Sequence, residues 1–285
     1  MQHAMILGLS GRIWRWLFHE QGSTRPLGLF RIALVLLLWT RFGPEMTLWM
    51  AGDSVQAVFG VAFFILTGFV LIGLYTRRAM ALLAAVMALV YFHFGQHLGH
   101  IPWTHHHVYL LFISTLITAL GPCDRSFSLD RLRRIRTGRA APETGPLTAN
   151  RLMILQLAAI YLWTAFDKTN VTFLFGTRLD QILHFHYQGT FAEPLLLWAP
   201  LVTAVAVLVV LVEYYLGIAI LLGKWIASVM VLGVVLHASF YFLLPVQTFS
   251  ATMVAMYVFL FRPQAVHVTI DTLIAGSTGG RESRP

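Results

Sequence analysis

Residues 158–170 read Ala-Ala-Ile-Tyr-Leu-Trp-Thr-Ala-Phe-Asp-Lys-Thr-Asn, an apolar helical pattern that ends in an Asp-Lys pair. A lysine at the end of a membrane helix is costly unless its ammonium group reaches the headgroups, pairs with an acid or takes part in chemistry. Helical spacing places Tyr161, Thr164 and Lys168 on one face. Two interpretations stay open: Lys168 is an interfacial anchor beside a Trp/Tyr belt, or it is a chemical residue in a pocket.

The composition around this stretch is that of a membrane protein. Of the 285 residues, 58% are hydrophobic and 11% are charged, whereas a soluble domain has about 25% charged residues. Several apolar runs approach the roughly 20 residues that cross a bilayer. They do not alternate apolar and polar residues, as strands of a membrane barrel would. The sequence therefore predicts an all-α, polytopic transmembrane helical bundle.

The hydropathy pattern predicts about eight spans, an N-terminal interfacial helix and an extracytoplasmic interfacial segment. The spans cover about residues 27–43, 54–75, 79–97, 109–120, 152–168, 200–223, 226–243 and 249–261. The interfacial helix covers residues 5–19. Residues 169–199 are too polar to span, and they predict a short interfacial or re-entrant segment with a helix near 177–187. No domain boundary or repeat is visible, so we expect a single membrane domain over residues 1–285, with its core at about 20–262 and a disordered cytoplasmic tail at 263–285.

The basic residues indicate how the chain crosses the membrane. The net charge of +8 comes mostly from short segments between apolar runs and from the arginine-rich residues 122–151, which favours anionic lipid over nucleic acid as the partner. The charge asymmetry predicts that both termini and residues 122–151 are cytoplasmic and that residues 169–199 are extracytoplasmic. The single cysteine, Cys123, excludes an intrachain disulfide and a cysteine-based metal cluster.

Histidines are concentrated on the side of the membrane where this threading places Lys168. They are His93, His97, His100, His105, His106, His107, His184 and His186. A metal site is one interpretation, but no carboxylate or cysteine has a suitable spacing. Hydrogen bonding at a polar pocket mouth and interfacial residues without a specific task are the other two. We expect no metal. Phosphate loops, nucleophile elbows and His-Glu-x-x-His motifs are absent from the sequence.

Three polar residues lie inside predicted spans. Arg31 is about one turn from a span end, so snorkelling or a structural pair competes with a ligand role. Glu213 is mid-span, with His237 at a similar depth, and either clasps two helices or lines a pocket. We expect an Arg31–Glu213 ion pair, and we expect Glu213 to belong to a different site from Lys168.

The order of several short motifs resembles the HTTM domain family, the membrane domain of vitamin K-dependent γ-glutamyl carboxylases and their bacterial relatives. The matching pieces are Pro26–Ile32 (PLGLFRI), His107–Leu111 (HVYLL), Ser126–Asp130 (SFSLD), Tyr161–Lys168 continuing to Leu174–Gly176 (LFG), and Glu213 followed by His237. The similarity covers about residues 20–262.

The resemblance implies a lysine base, Lys168, that acts on vitamin K or menaquinone hydroquinone. In the carboxylase, the oxygenated quinone then removes a γ-proton from a substrate glutamate, and CO2 adds. The family pattern implies His107 (or His106 with a one-residue shift) and Tyr161 as further catalytic residues. Cofactor contacts are expected from Arg31, His106, Trp163, Glu213 and His237. The chain departs from the carboxylases at Asp167, where a second lysine is common, and it stops soon after Arg262, where they continue into a large extracytoplasmic domain.

Three functions follow as expectations. The first is a bacterial inner-membrane enzyme with carboxylase- or epoxidase-type chemistry on a quinol or lipid-like ligand near the outer leaflet. The second is a non-enzymatic partner in the maturation or export of a secreted peptide. The third is a small-molecule transporter, although no pair of interrupted spans indicates an inverted repeat.

Overall fold

A computed structural model describes residues 11–279 of the chain, with side chains to residue 275. The described chain is almost entirely helical. Its helices are α1 (residues 11–18), α2 (Arg25–Met50), α3 (Ser54–Ile72), α4 (Thr76–Leu89, continued by a π-helical turn Val90–His97), α5 (His106–Leu120), α6 (Leu129–Arg136), α7 (Thr148–Lys168), α8 (Val171–Leu174), α9 (Thr177–Tyr187), α10 (Glu193–Leu196), α11 (Ala199–Leu222), α12 (Ile226–Leu243), α13 (Gln247–Met256, continued by the 3-10 turn Tyr257–Leu260) and α14 (Pro263–Gly279). Two short strands, β1 (Gln21–Ser23) and β2 (Thr144–Pro146), pair antiparallel.

Six helices are long and apolar enough to cross a membrane: α2, α3, α4 with its π-helical turn, α7, α11 and α12. The other two predicted spans are shorter elements. Helix α5 has 15 residues, and α13 with its 3-10 turn forms a pair with α14 that is bent by 96°. The predicted all-α, polytopic architecture is therefore confirmed, and by length and composition residues 11–279 contain six candidate spans, or seven if the bent pair is one span.

The end of helix α2 and the C-terminal tail differ from the prediction. Helix α2 continues seven residues past the predicted end at Gly43, because Pro44 removes only one intrahelical hydrogen bond and the helix extends through it. The tail after Arg262 was expected to be disordered, but α14 occupies most of it, and its His267 and Asp271 side chains contact Ser23 and Arg25. For the predicted N-terminal helix, residues 11–18 are helical, and residues 5–10 lie outside the described part.

The chain packs as two compact units, residues 1–153 with 261–285 and residues 154–260. In the described part of the first unit, α2 packs against α3 and α5, and α4 packs against α3 and α5. Aromatic rings fill one end of this core, where the Trp49 ring lies 4.7 Å from that of Phe94 and 5.2 Å from that of Trp103. The prediction of one domain over the whole chain stays a prediction.

Polar contacts fix the other end of the first unit. Arg31 is fully buried, and its guanidinium donates hydrogen bonds to the carbonyl oxygens of Cys123 (2.7 Å) and Phe127 (2.5 Å). Arg25 forms ion pairs with Glu143 (2.8 Å) and Asp271 (2.7 Å). These two arginines therefore tie the start of α2 to the loop after α5 and to α14.

In the second unit, α7 and α11 approach closely at a glycine. A Cβ atom at Gly217 would lie 2.7 Å from Leu162, so a larger residue there would push the two helices apart. Helix α12 packs against α11 and α13.

The polar segment after α7 folds back beside the first half of α11. Leu179 and Leu183 of α9 form a small core with Val202 and Ala206 of α11. The Thr203 hydroxyl donates to the Phe175 carbonyl oxygen (3.0 Å). Helix α9 covers residues 177–187, as predicted, and it packs beside the start of the candidate span α11.

Candidate functional site

Lys168, the last residue of α7, forms an ion pair with Glu213 of α11. The Lys168 Nζ atom lies 2.6 Å from the Glu213 Oε1 atom, and the two side chains are 23% and 3% exposed. Glu213 is fourteen residues after the start of α11 at Ala199, which is about 21 Å along the helix. Glu213 therefore lies near the middle of the candidate span α11, whereas Lys168 is the last residue of the candidate span α7. A charged side chain within such a span is costly unless it is paired.

The surroundings of the pair are aromatic and incompletely hydrogen-bonded. The Lys168 ammonium lies 5.9 Å from the ring centroids of both Phe173 and Phe240. The second carboxylate oxygen of Glu213, Oε2, is buried and has no hydrogen-bond partner among the described residues. A buried oxygen without a partner carries a desolvation cost, so this atom marks a place where a ligand or water hydroxyl would be stabilised.

This geometry corrects two predictions. Glu213 was expected to belong to a different site from Lys168, but the two side chains form one ion pair, with Nζ and Oε1 2.6 Å apart. The expected Arg31–Glu213 pair is wrong, because the Arg31 guanidinium is held by backbone carbonyls and Glu213 by Lys168. The Arg31 contacts indicate a structural role.

Two turns before Lys168, Tyr161 forms a buried hydrogen-bonded trio with His237 and Tyr257. The Tyr161 hydroxyl lies 2.7 Å from the Nε2 atom of His237 and also contacts the Tyr257 hydroxyl. All three side chains are buried, and the Nδ1 atom of His237 has no partner. The inward face predicted for Tyr161, Thr164 and Lys168 is confirmed for α7, since Tyr161 is buried and the other two are half-buried.

Trp163 lies on the opposite side of α7. Its side chain is 69% exposed and packs only against Phe166 among the aromatic contacts of the described chain. The structure thus brings four of the predicted site residues together in two groups along α7: Lys168 with Glu213, and Tyr161 with His237. Trp163 lies on the outer surface of the helix.

The two histidines predicted as site residues, His106 and His107, belong to the first unit. The Arg41 guanidinium donates through Nε to the His107 Nε2 atom (2.7 Å) and pairs through NH1 with Glu45 (2.7 Å). This contact makes His107 Nε2 an acceptor, so the ring proton resides on Nδ1. His106 is exposed. In residues 11–275, no group of three or more His, Cys, Asp or Glu side chains has an arrangement that could hold a metal ion.

Sequence reasoning missed three residues near the site: Tyr257, Phe173 and Phe240. Tyr257 had a detectable signal, because a phenol inside an apolar span needs a hydrogen-bond partner. The two phenylalanines had none, since a chain with 21 phenylalanines offers no way to choose two of them.

Comparisons with known proteins address the family. No curated protein and no solved structure matches the chain. The family model described as the HTTM domain matches residues 43–264, which include both polar groups of α7. The chain is therefore a multi-pass membrane protein that belongs to the HTTM domain family.

Proposed function

We propose that this HTTM protein binds a quinol or a similar lipid-like hydroxyl ligand beside the Lys168–Glu213 pair and that Lys168 accepts a proton from that hydroxyl. The observation that carries the proposal is the 2.6 Å contact between a partly accessible lysine and a buried glutamate in the middle of a candidate span. Carboxylase- or epoxidase-type chemistry is the reaction class that the family resemblance favours.

Glu213 supplies what a lysine base needs. A protonated lysine cannot accept a second proton, so its amine must first be freed. The Glu213 Oε1 atom lies within hydrogen-bonding distance of Nζ and can take that proton, which leaves a neutral amine beside a neutral carboxylic acid. Buried surroundings lower the cost of the neutral pair relative to the ion pair, because they solvate separated charges poorly.

The use of a lysine at this position, in a chain that mostly uses arginine, also supports the proposal. It contains two lysines, Lys168 and Lys224, against eighteen arginines. Arginine remains protonated at any accessible pH, whereas lysine changes protonation readily when buried. An anchor or a structural ion pair needs only the charge, so the use of lysine at this largely buried ion pair supports a proton-transfer role.

The aromatic rings and the orphaned oxygen fit a hydroxylated aromatic ligand. Phe173 and Phe240 border the ammonium at 5.9 Å and offer faces for an aromatic ring. Glu213 Oε2, buried without a partner, would accept a hydroxyl hydrogen bond. A bound hydroquinone would supply the acidic hydroxyl and the redox chemistry, while the side chains orient that hydroxyl and exchange its proton. We place the protein in the bacterial plasma membrane, with both termini cytoplasmic.

Binding of a reduced short-chain menaquinone to the full chain in nanodiscs tests the proposal. We expect saturable binding above the partition into empty nanodiscs. Lys168→Ala should weaken it about tenfold, the equivalent of one charge-assisted hydrogen bond. The matched control is Lys224→Ala, which removes the exposed lysine of the α11–α12 turn and should bind like the wild type.

Two outcomes would overturn the proposal. One is wild-type binding that does not exceed the empty nanodisc. The other is equal binding by Lys168→Ala and Lys224→Ala when both variants are folded, as checked by helical circular dichroism.

A further inference from the structure

Helix α6 of the first unit attaches to the protein through its charged side. The Asp130 carboxylate accepts hydrogen bonds from the backbone N–H groups of Tyr75 (3.0 Å) and Thr76 (2.8 Å). Arg134 forms an ion pair with Asp124. These inward-facing residues are half-buried, so the polar groups of α6 are satisfied by the protein itself.

The opposite side of α6 is apolar, and its side chains are exposed in the described part of the chain. Leu129, Leu132 and Ile135 are 40%, 39% and 49% exposed, and their spacing of three residues places them on one stripe. Arg133 borders the stripe, and Arg136 follows Leu132 on the same face at the end of α6; both arginines are exposed. A helix on a water-soluble surface has the reverse arrangement, with its apolar side toward the protein. The outer side of α6 is therefore suited to an apolar environment bordered by water.

The contacts of α6 fix its depth relative to the membrane. The Asp130 N–H donates to the Gly73 carbonyl oxygen (2.9 Å), and the Asp130 side chain caps the start of α4. Residues 73–75 form the turn between α3 and α4, two helices that qualify as spans. A turn between two spans lies at a membrane boundary, so α6 is held at that boundary.

The charge of the residues around α6 indicates which kind of lipid surface it would contact. The exposed basic residues near α6 are Arg77, Arg78, Arg133, Arg136 and Arg139. The three acidic residues between positions 122 and 151 (Asp124, Asp130 and Glu143) all have bonds to arginines or backbone N–H groups. The exposed charge of this region is therefore positive, and it is complementary to anionic lipid.

We propose that α6 is an interfacial helix that docks on the anionic phospholipid surface next to the α3–α4 turn. Leu129, Leu132 and Ile135 enter the boundary between headgroups and acyl chains, and Arg133 and Arg136 contact lipid phosphates. The Arg133 guanidinium also lies 5.5 Å from the ring centroid of Tyr75, a residue type that favours the same boundary.

A nitroxide label tests the insertion of the apolar stripe. The label is placed at Leu132→Cys in a Cys123→Ala background, with the full chain in vesicles of phosphatidylglycerol and phosphatidylcholine. The matched control is Ala140→Cys, an exposed position in the loop after α6. We expect oxygen to relax the label at position 132 more than a water-soluble nickel chelate does, and the reverse at position 140. Access to the chelate at both positions would show a solvated helix, and access to neither reagent at 132 would show a protein cover; either result overturns the proposal.

Lipid selectivity tests the role of the arginines. An arginine near an anionic surface contributes about a fivefold preference for it. Arg136→Gln should therefore lower the ratio of retained phosphatidylglycerol to phosphatidylcholine by about that factor, as measured by native mass spectrometry. Arg178→Gln, which removes an exposed arginine from α9, should leave the ratio unchanged. Equal ratios for the two variants would overturn the assignment of α6 to anionic lipid.

Discussion

At the scale of single residues, the candidate site depends on one ion pair. Lys168 and Glu213 are 2.6 Å apart, and the carboxylate is almost fully buried. Sequence analysis identified both residues but assigned them to different depths. The sequence predicted an interfacial or re-entrant segment for residues 169–199, but hydropathy does not show which helix such a segment packs against.

The ion pair predicts a strong non-additivity of substitutions. Glu213→Leu leaves a buried ammonium unpaired and should destabilise the protein by about 3 kcal/mol, whereas the double variant Lys168→Met/Glu213→Leu should recover most of that loss. Thermal unfolding in detergent measures the wild type, Lys168→Met, Glu213→Leu and the double variant. As a control, Glu45→Leu breaks the more exposed pair with Arg41 and should cost about 1 kcal/mol or less. Strict additivity of the Lys168 and Glu213 substitutions would contradict the account.

Glu143 gives the first unit a defined dependence on pH. Burial alone would raise the pKa of Glu143, but the hydrogen bond from Arg25 and the charges of Arg131 and Arg25 outweigh it and hold the pKa below the ordinary value of 4.5. Because the folded-state pKa is lowered, the carboxylate stabilises the fold above the ordinary value, and this contribution is lost as the pH falls through the folded-state pKa.

We therefore expect Glu143→Gln to be less stable than the wild type at neutral pH and to approach it in acid. Melting temperatures across the acidic range measure the difference. Glu193→Gln, at the first residue of α10, should leave that pH dependence in place. A difference between the wild type and Glu143→Gln that does not change with pH would show that the side chain acts through its shape alone.

At the scale of secondary structure elements, close helix packing positions the site. Gly217 allows the backbone of α11 to approach Leu162 of α7, one and a half turns from Lys168. The span positions on both helices were readable from hydropathy, but this contact was not, because any small residue in either span was an equal candidate.

A methyl group at position 217 should disturb this packing. Gly217→Ala inserts a Cβ atom 2.7 Å from Leu162, and such overpacking costs about 1–3 kcal/mol. Gly68→Ala in α3 is the matched control, since no atom lies within 4 Å of its added Cβ; it should be neutral or stabilising by up to about 1 kcal/mol. Equal melting temperatures for the two variants would show that α7 and α11 do not need the glycine.

At the scale of the whole molecule, the chain is a multi-pass helical membrane protein of the HTTM family. Its class was predictable because composition and long apolar runs depend on no tertiary detail. The count of about eight spans was less reliable. The 15-residue α5 and the bend after α13 show that an apolar run in the sequence does not always form a helix long enough to cross a membrane.

Orientation in the membrane follows from the arginine distribution and is testable with two cysteines. Burial raises the pKa of the Cys123 thiol to about 12, so the native cysteine should be inert, and Cys123→Ala removes it altogether. In that background, Thr190→Cys should react with an impermeant thiol reagent in intact cells, and Thr144→Cys should react only after lysis. Labelling of position 144 alone in intact cells would invert the topology.

The most direct test of the account concerns Lys168 as a base. Lys168→Arg keeps a positive charge opposite Glu213 but cannot become neutral. We measure oxygen-dependent consumption of reduced menaquinone by the full chain in nanodiscs, with Lys224→Arg as the matched control. The account predicts that the wild type and Lys224→Arg consume the quinol and that Lys168→Arg, although folded, loses at least about 100-fold in rate, as expected for loss of a general base. Equal rates for Lys168→Arg and Lys224→Arg, or no consumption by the wild type, would contradict it.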